Sequence, residues 1–157
     1  GLIDSVSDVR YYTEGEETPA RIRYHDKEHE FQLVETKLRE LLRQGLEPRQ
    51  IMILGTRRLE KSFLAGKSEI AGLPVELLDE KCVLLDNFPR QCILYSTLHR
   101  FKGLEADVVL LCDIDKTMRH LSKRHIYVGA SRARHRLFLF IHHGVQLKEF
   151  PLEQHQH

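Results

Sequence analysis

Three groups of polar residues sit just outside apolar runs in the second half of the chain. The first is Thr97-Leu98-His99-Arg100, the second Lys102-Gly103-Leu104-Glu105, and the third Tyr127-Val128-Gly129-Ala130-Ser131-Arg132-Ala133-Arg134. Their types suit phosphate chemistry. A guanidinium is planar and keeps its proton, so the arginines of the third group could hold fixed positive charge against a phosphate. A hydroxyl and an imidazole, as on Thr97 and His99, can donate to backbone phosphates without reading bases. Gly103 permits close backbone approach.

Charge is distributed to match. The net charge is only +1, yet Lys116 to Arg136 holds seven Lys/Arg and no acid, whereas Gly1 to Glu47 holds eleven acids against seven bases. By composition alone a basic run is most simply a solvated helix face. The sharper reading is a surface that faces a nucleotide or nucleic acid. Other chemistries find less support. His25 and His29 are four apart but have no third ligand nearby, so no metal site is expected. Cys82, Cys92 and Cys112 show no CxxC spacing and read as free thiols in a reducing, cytoplasmic setting. Gly66-Lys67-Ser68 is the end of a phosphate-binding loop, but position 61 is Lys rather than the required Gly. Without that glycine the backbone amides cannot wrap a triphosphate, so a kinase or NTPase built on Lys67 is disfavoured.

The elements that must position these groups follow from hydrophobic periodicity. Ala20 to His25 alternates as a short strand, and Val9 to Tyr12 could be an edge strand. Asp26 is a good helix N-cap, with Glu28 and Glu30 in the first turn where the helix dipole favours them. Phe31, Val34, Leu38, Leu41 and Leu42 form one stripe, with Gly45 as its stop. Ile51 to Leu54 reads as a strand buried on both faces, with Gly55-Thr56-Arg57-Arg58 leaving its end. A helix is expected over Leu59 to Ile70, a strand over Val75 to Leu78, and an irregular stretch over Asp79 to Pro89. Strands are expected at Ile93–Tyr95, Val108–Cys112 and Leu137–Ile141, with a helix within Thr117 to Arg134. Alternating strands and helices predict a three-layer α/β domain: a mostly parallel central sheet with helices on both faces.

With 157 residues, 41% hydrophobic and 30% charged, the chain suits a single soluble domain over residues 1–151. Residues 1–19 read as an irregular lead-in and 152–157 as an appended tail. No apolar run approaches the roughly 20 residues that span a bilayer, so no membrane partner is expected.

The segment Thr97 to Glu105 with the following Val108-Val109 resembles motif V of UvrD/Rep-type superfamily 1 DNA helicases. Tyr127 to Arg134 with Leu137-Phe138-Leu139 resembles their motif VI, and Ile51 to Arg58 is similar to motif IV, with Thr56 where the family usually has arginine. The resemblance runs from about Ala20 to Ile141. It implies a RecA-like C-terminal motor domain that supplies motifs IV to VI to an ATP site completed by an N-terminal RecA-like domain. It implies ATP and Mg²⁺ as cofactors only with that partner domain, and single-stranded or partly duplex DNA as the track. By the same resemblance Arg132 would be the arginine finger, and Gly103, Glu105 and Arg57 or Arg58 would contact nucleotide. Thr97, His99 and Arg100 would contact DNA. Tyr127 would pack, and Arg134 and Arg136 receive no role. Only 34 residues separate Arg58 from Ile93, so the large insertion many members carry there is absent. The alternative from another class is a degenerate, non-catalytic module that binds nucleic acid or a partner protein; retention of Arg132 and Glu105 weighs against it.

Overall fold

Continuous apolar runs cannot leave one face in water, so they become strands covered on both sides. The computed structural model, which describes residues 20–78, 91–98, 106–116 and 133–145, is built on this rule. Its strands are β1 (Ala20–Tyr24), β2 (Ile51–Gly55), β3 (Glu69–Ile70), β4 (Leu73–Leu77), β5 (Ile93–Thr97), β6 (Ala106–Ile114) and β7 (Ala133–His142), and its helix α1 spans Lys27–Arg43. They form one sheet in the order β1-β7-β6-β2-β5-β4-β3. Every pairing is parallel except the two-residue β3 against β4. The chain is thus a mixed α/β domain of RecA-like type with a mostly parallel sheet.

Alternation along the central strands divides the core. Ile51, Ile53, Ile93, Tyr95, Val108, Leu110, Phe138 and Phe140 point to the side that α1 covers with Val34, Leu38 and Leu41. Met52, Leu54, Leu94, Val109, Leu111, Leu137 and Leu139 are buried on the other. The expected helix within Thr117 to Arg134 lies outside the described residues except for its last two, which are strand: β7 begins at Ala133. Val9 to Tyr12 and Asp79 to Pro89 also lie outside them.

Helix α1 starts and stops as its sequence prescribes. The Asp26 side chain accepts from His29 N at 2.8 Å, and Gly45 follows the helix at φ +103°, a left-handed value that suits glycine. The expected helix over Leu59 to Ile70 is not formed. A single 3₁₀ turn spans Leu59–Lys61, and the chain then turns toward β3. The Ser62 hydroxyl donates to Leu59 O at 2.8 Å and accepts from Leu64 N at 3.0 Å. These local bonds compete with the helical ladder, and Gly66 at φ +78° takes the chain out of helical geometry.

Candidate functional site

In a parallel sheet the loops that can meet a ligand leave the C-terminal ends of the strands. Gly55 of β2 and Thr97 of β5 are register partners there, and Leu98 N donates to Gly55 O at 3.0 Å. The turn Thr56-Arg57-Arg58 rises beside Thr97 and is tied down at three points. Thr56 Oγ1 donates to Asp113 O at 2.7 Å, Arg57 Nη2 pairs with Asp115 Oδ2 at 2.5 Å, and the Tyr95 hydroxyl donates to Arg57 O. Arg58 is different: its side chain is 81% exposed, with Glu60 3.9 Å away. Arg57 is therefore a strut and Arg58 the guanidinium presented outward.

Beneath the turn lies a group of polar residues in an otherwise apolar core. β6 carries one extra residue relative to β7 between Leu111 and Ile114, a β-bulge. Within it Asp113 takes φ +61°, a region aspartate tolerates better than most residues. The bulge turns the Asp113 N–H away from the ladder and toward α1, where Glu30 Oε2 accepts it at 2.7 Å. Asp113 Oδ2 accepts from Phe63 N at 3.3 Å. Both carboxyls are buried, Glu30 at 0% exposure and Asp113 at 2%. Burial raises both above the ordinary carboxylate range, and the Asp113 charge raises Glu30 further. Glu30 keeps the proton, because Asp113 alone has the Phe63 amide, Arg57 and Lys27 to stabilise its charge. Glu30 Oε1 has no acceptor or donor among its other neighbours; carrying the proton, it can donate to the Asp113 carboxylate, a side-chain bond that holds Asp113 down and Glu30 up.

This arrangement sets a pH dependence. The folded protein binds the Glu30 proton more tightly than the unfolded chain does, so it holds more protons between the ordinary glutamate value of 4.5 and the raised folded value. Stability therefore falls as pH rises through that window. Glu30→Gln keeps an acceptor and a donor in the same places and cannot ionise. Urea midpoints of the variant should decline less from about pH 5 to about pH 8, a gain over the parent on the order of 1–3 kcal/mol at the upper end. Parallel slopes in the two proteins would mean that the proton is held elsewhere.

The other candidate residues divide by position. Gly103, Glu105, Arg132, His99 and Arg100 lie outside the described residues, as does Tyr127. Ala106 and Ala133, which follow Glu105 and Arg132 in sequence, are register partners at the opposite edge of the sheet. From Ala106 to Cys112, the partner of Gly55, is six residues, or about 20 Å along the strand. The structure thus brings Arg57, Arg58 and Thr97 together and sets Ala106 and Ala133 apart from them. Arg134 and Arg136, which had no role from sequence, hold the start of β7. Arg134 Nε lies 3.2 Å from Asp107 Oδ1, and Arg136 sits 5.0 Å from the Phe138 ring centre.

His25 and His29 do not converge on a common point. Their rings stack at 5.0 Å, and His25 N donates to His29 Nδ1 at 3.0 Å. Among the described residues no group of His, Cys, Asp or Glu is arranged to hold a metal ion. Cys92 and Cys112 are buried; Cys82 lies outside the described residues. Gly66-Lys67-Ser68 precedes the two-residue β3 rather than a helix. Lys67 Nζ is 3.4 Å from Glu28 Oε1 and 4.2 Å from the centre of the Phe31 ring, so it is engaged at the surface.

Glu30 and Asp113 were not singled out from sequence. The signal for Glu30 was present: it stands four residues before Val34 and continues the buried stripe through Leu38 and Leu41. Its position in the first turn suggested a solvated partner for the helix dipole, and the structure instead buries it.

The sheet order and the β5–β6–β7 geometry can now be set against known proteins. Residues 93–140, from the start of β5 into β7, match the family described as UvrD-like helicase C-terminal domain. That stretch is similar in sequence to UvrD-like helicase C-terminal domains. It contains Thr97, Gly103, Glu105 and Arg132. The crystal structure of the C-terminal domain of a possible DNA helicase from Lactobacillus plantarum WCFS1 superposes on the chain with a TM-score of 0.64, at 19% identity, over 94% of this chain and 89% of that one. At that identity the likeness is one of fold. No curated protein matches the chain. No helix among the described residues is long and apolar enough to cross a membrane.

Proposed function

We propose that this UvrD-like domain is the C-terminal motor domain of an ATP-dependent DNA helicase, supplying half of an ATP site whose phosphate-binding loop belongs to an N-terminal RecA-like domain. The observation that carries the reading is the family match across residues 93–140, because that stretch retains both Glu105 and Arg132. In this reading Arg132 is the finger that meets developing charge on the γ-phosphate. Glu105 faces the ribose, and Gly103 lets the backbone approach. Arg58, held out from the sheet edge on a fixed turn, suits anionic phosphate oxygens, with Arg57 behind it. Thr97, His99 and Arg100 contact the backbone of single-stranded or partly duplex DNA. ATP would supply the energy for translocation, and Mg²⁺ would be held by the partner domain together with the phosphates. The likeness to the C-terminal domain of a possible DNA helicase supports the same assignment.

The test is reconstitution. The chain alone should give no ATP hydrolysis above background, because it holds no phosphate cradle. Joined to a first motor domain that carries a GxxxxGK[ST] loop, it should show DNA-stimulated ATPase activity. DNA or protein binding without turnover in the joined protein would favour the non-catalytic module. Metal-dependent ATPase in the chain alone, lost on Arg132→Ala, would overturn the half-site.

A further inference from the structure

The described core contains one buried ionisable pair, Glu30 and Asp113, and the proposed function leaves it without a task. Its connections are specific. Glu30, from the first turn of α1, accepts the Asp113 N–H that the β6 bulge frees at 2.7 Å. The carbonyl of the same Asp113 accepts the Thr56 hydroxyl at 2.7 Å. Two residues on, Asp115 holds Arg57. Both backbone polar groups of Asp113 are thus spent on side chains from other elements, and those side chains lead to the helix on one side and the Thr56–Arg58 turn on the other. In an apolar core such a residue would cost stability if either bond were lost, so the bulge holds its place only while Glu30 and Thr56 grip it.

We propose that Glu30 is a positioning residue: by anchoring the Asp113 bulge it sets the place of the Thr56–Arg58 turn, and hence the direction in which Arg58 is presented. The inference rests on reading that turn as a phosphate contact. Glu30 does not touch a ligand. It acts through Asp113: the Asp113 N–H bond favours a charged Glu30, whereas burial and the neighbouring Asp113 charge oppose that charge more strongly. An ionised Glu30 would set two negative charges side by side in a dry pocket. The groups that face the pair are Tyr24 from β1, Lys27 from α1, Tyr95 from β5, Arg57 from the turn, Cys112 from β6 and Asp115 just beyond its end. Among these only Arg57 and Lys27 are cations, and both act on Asp113. Among the described residues the larger influences on Glu30 include no cation, so loss of its proton pushes on the bulge.

The test uses the isotopically labelled chain without nucleotide, followed by NMR. In the parent protein, the Thr56 and Arg58 amides and the Arg57 Nε–H should move together with the Glu30 carboxyl carbon as pH is raised. In Glu30→Gln they should keep their low-pH positions and not titrate. In Glu30→Ala the Asp113 amide should exchange at least about tenfold faster relative to core amides of β2, because its acceptor is gone. Three results overturn the proposal: turn signals indifferent to the Glu30 titration, the same titration in Glu30→Gln, or unchanged Asp113 exchange in a folded Glu30→Ala. If Glu30→Ala does not fold, the comparison of parent with Glu30→Gln decides alone. A second arm separates this claim from the functional reading. In the protein joined to a first motor domain that carries the phosphate-binding loop, ATP should shift Arg58 Nε–H in the parent and in Glu30→Gln, and about tenfold more weakly in a folded Glu30→Ala. If Arg58 ignores ATP in the parent while the turn still follows Glu30, the phosphate reading of the turn fails and the positioning role stands.

Discussion

Arg132→Ala, in a protein that joins this domain to a first motor domain, is expected to lower ATP turnover by about 10³-fold while changing ATP affinity far less. The asymmetry follows from when charge develops. A finger meets negative charge that grows on the transferring phosphoryl group, so its removal raises the barrier more than it weakens ground-state binding. Lysine is a poor substitute, because a compact ammonium lacks the planar fork that can donate to two oxygens at once. Arg132→Lys should therefore remain within about tenfold of Arg132→Ala. Single-turnover hydrolysis with ATP in excess of its dissociation constant separates chemistry from binding. Full turnover in Arg132→Ala would remove the residue from the catalytic set and move weight to the non-catalytic module.

Gly55→Ala should be the most damaging single methyl addition at the C-terminal edge of the sheet. The glycine is required for space. A Cβ built there would meet the Tyr95 ring, with Cζ at 2.5 Å and Cε2 at 2.9 Å. Tyr95 cannot swing aside into solvent, since it is fully buried, and its hydroxyl holds Arg57 O. Overpacking of this kind costs about 1–3 kcal/mol, and displacement of the hydroxyl adds about 1 kcal/mol for the lost hydrogen bond. Urea unfolding should thus show a loss of about 2–4 kcal/mol. Tyr95→Phe, which keeps the ring and removes only the hydroxyl, should cost about 1 kcal/mol. Adding Tyr95→Leu to Gly55→Ala should recover part of the deficit by making room. A loss below about 1 kcal/mol in Gly55→Ala would show that the β2–β5 edge yields, and would weaken the view that the turn is rigidly held.

Much of this was legible in the residues. Ile51 to Leu54, Ile93 to Tyr95, Val108 to Cys112 and Leu137 to Ile141 are continuous apolar runs, and such runs have one stable home, the interior of a parallel sheet. Asp26, the stripe from Phe31 to Leu42, and Gly45 together state where α1 begins, which face it buries and where it stops. The order of Thr97 to Glu105 and Tyr127 to Arg134, each before an apolar run, carried the resemblance that the family match at residues 93–140 supports.

The expected helix over Leu59 to Ile70 shows where local pattern misleads. Apolar residues at Leu59, Phe63, Leu64 and Ile70 have helical spacing, but Phe63, Leu64 and Ile70 are buried by a turn and a short strand. Spacing reports which residues seek the core, and several backbones can deliver them there. The difference between Arg57 and Arg58 was equally hidden. They are adjacent and identical in type, and only the position of Asp115 makes one a strut and leaves the other outward.

The amino-acid sequence alone determined the strand interiors and the limits of α1, because each depends on composition and spacing within a few residues. Tertiary structure alone decided which loops share an edge, which arginine is tied, and that Glu30 and Asp113, 83 residues apart, meet. The physical reason is that a carboxyl's role is set by its dielectric surroundings and its partners. Glu30 would be a solvated charge on an isolated helix, and becomes a protonated anchor only where β6 bulges to meet it.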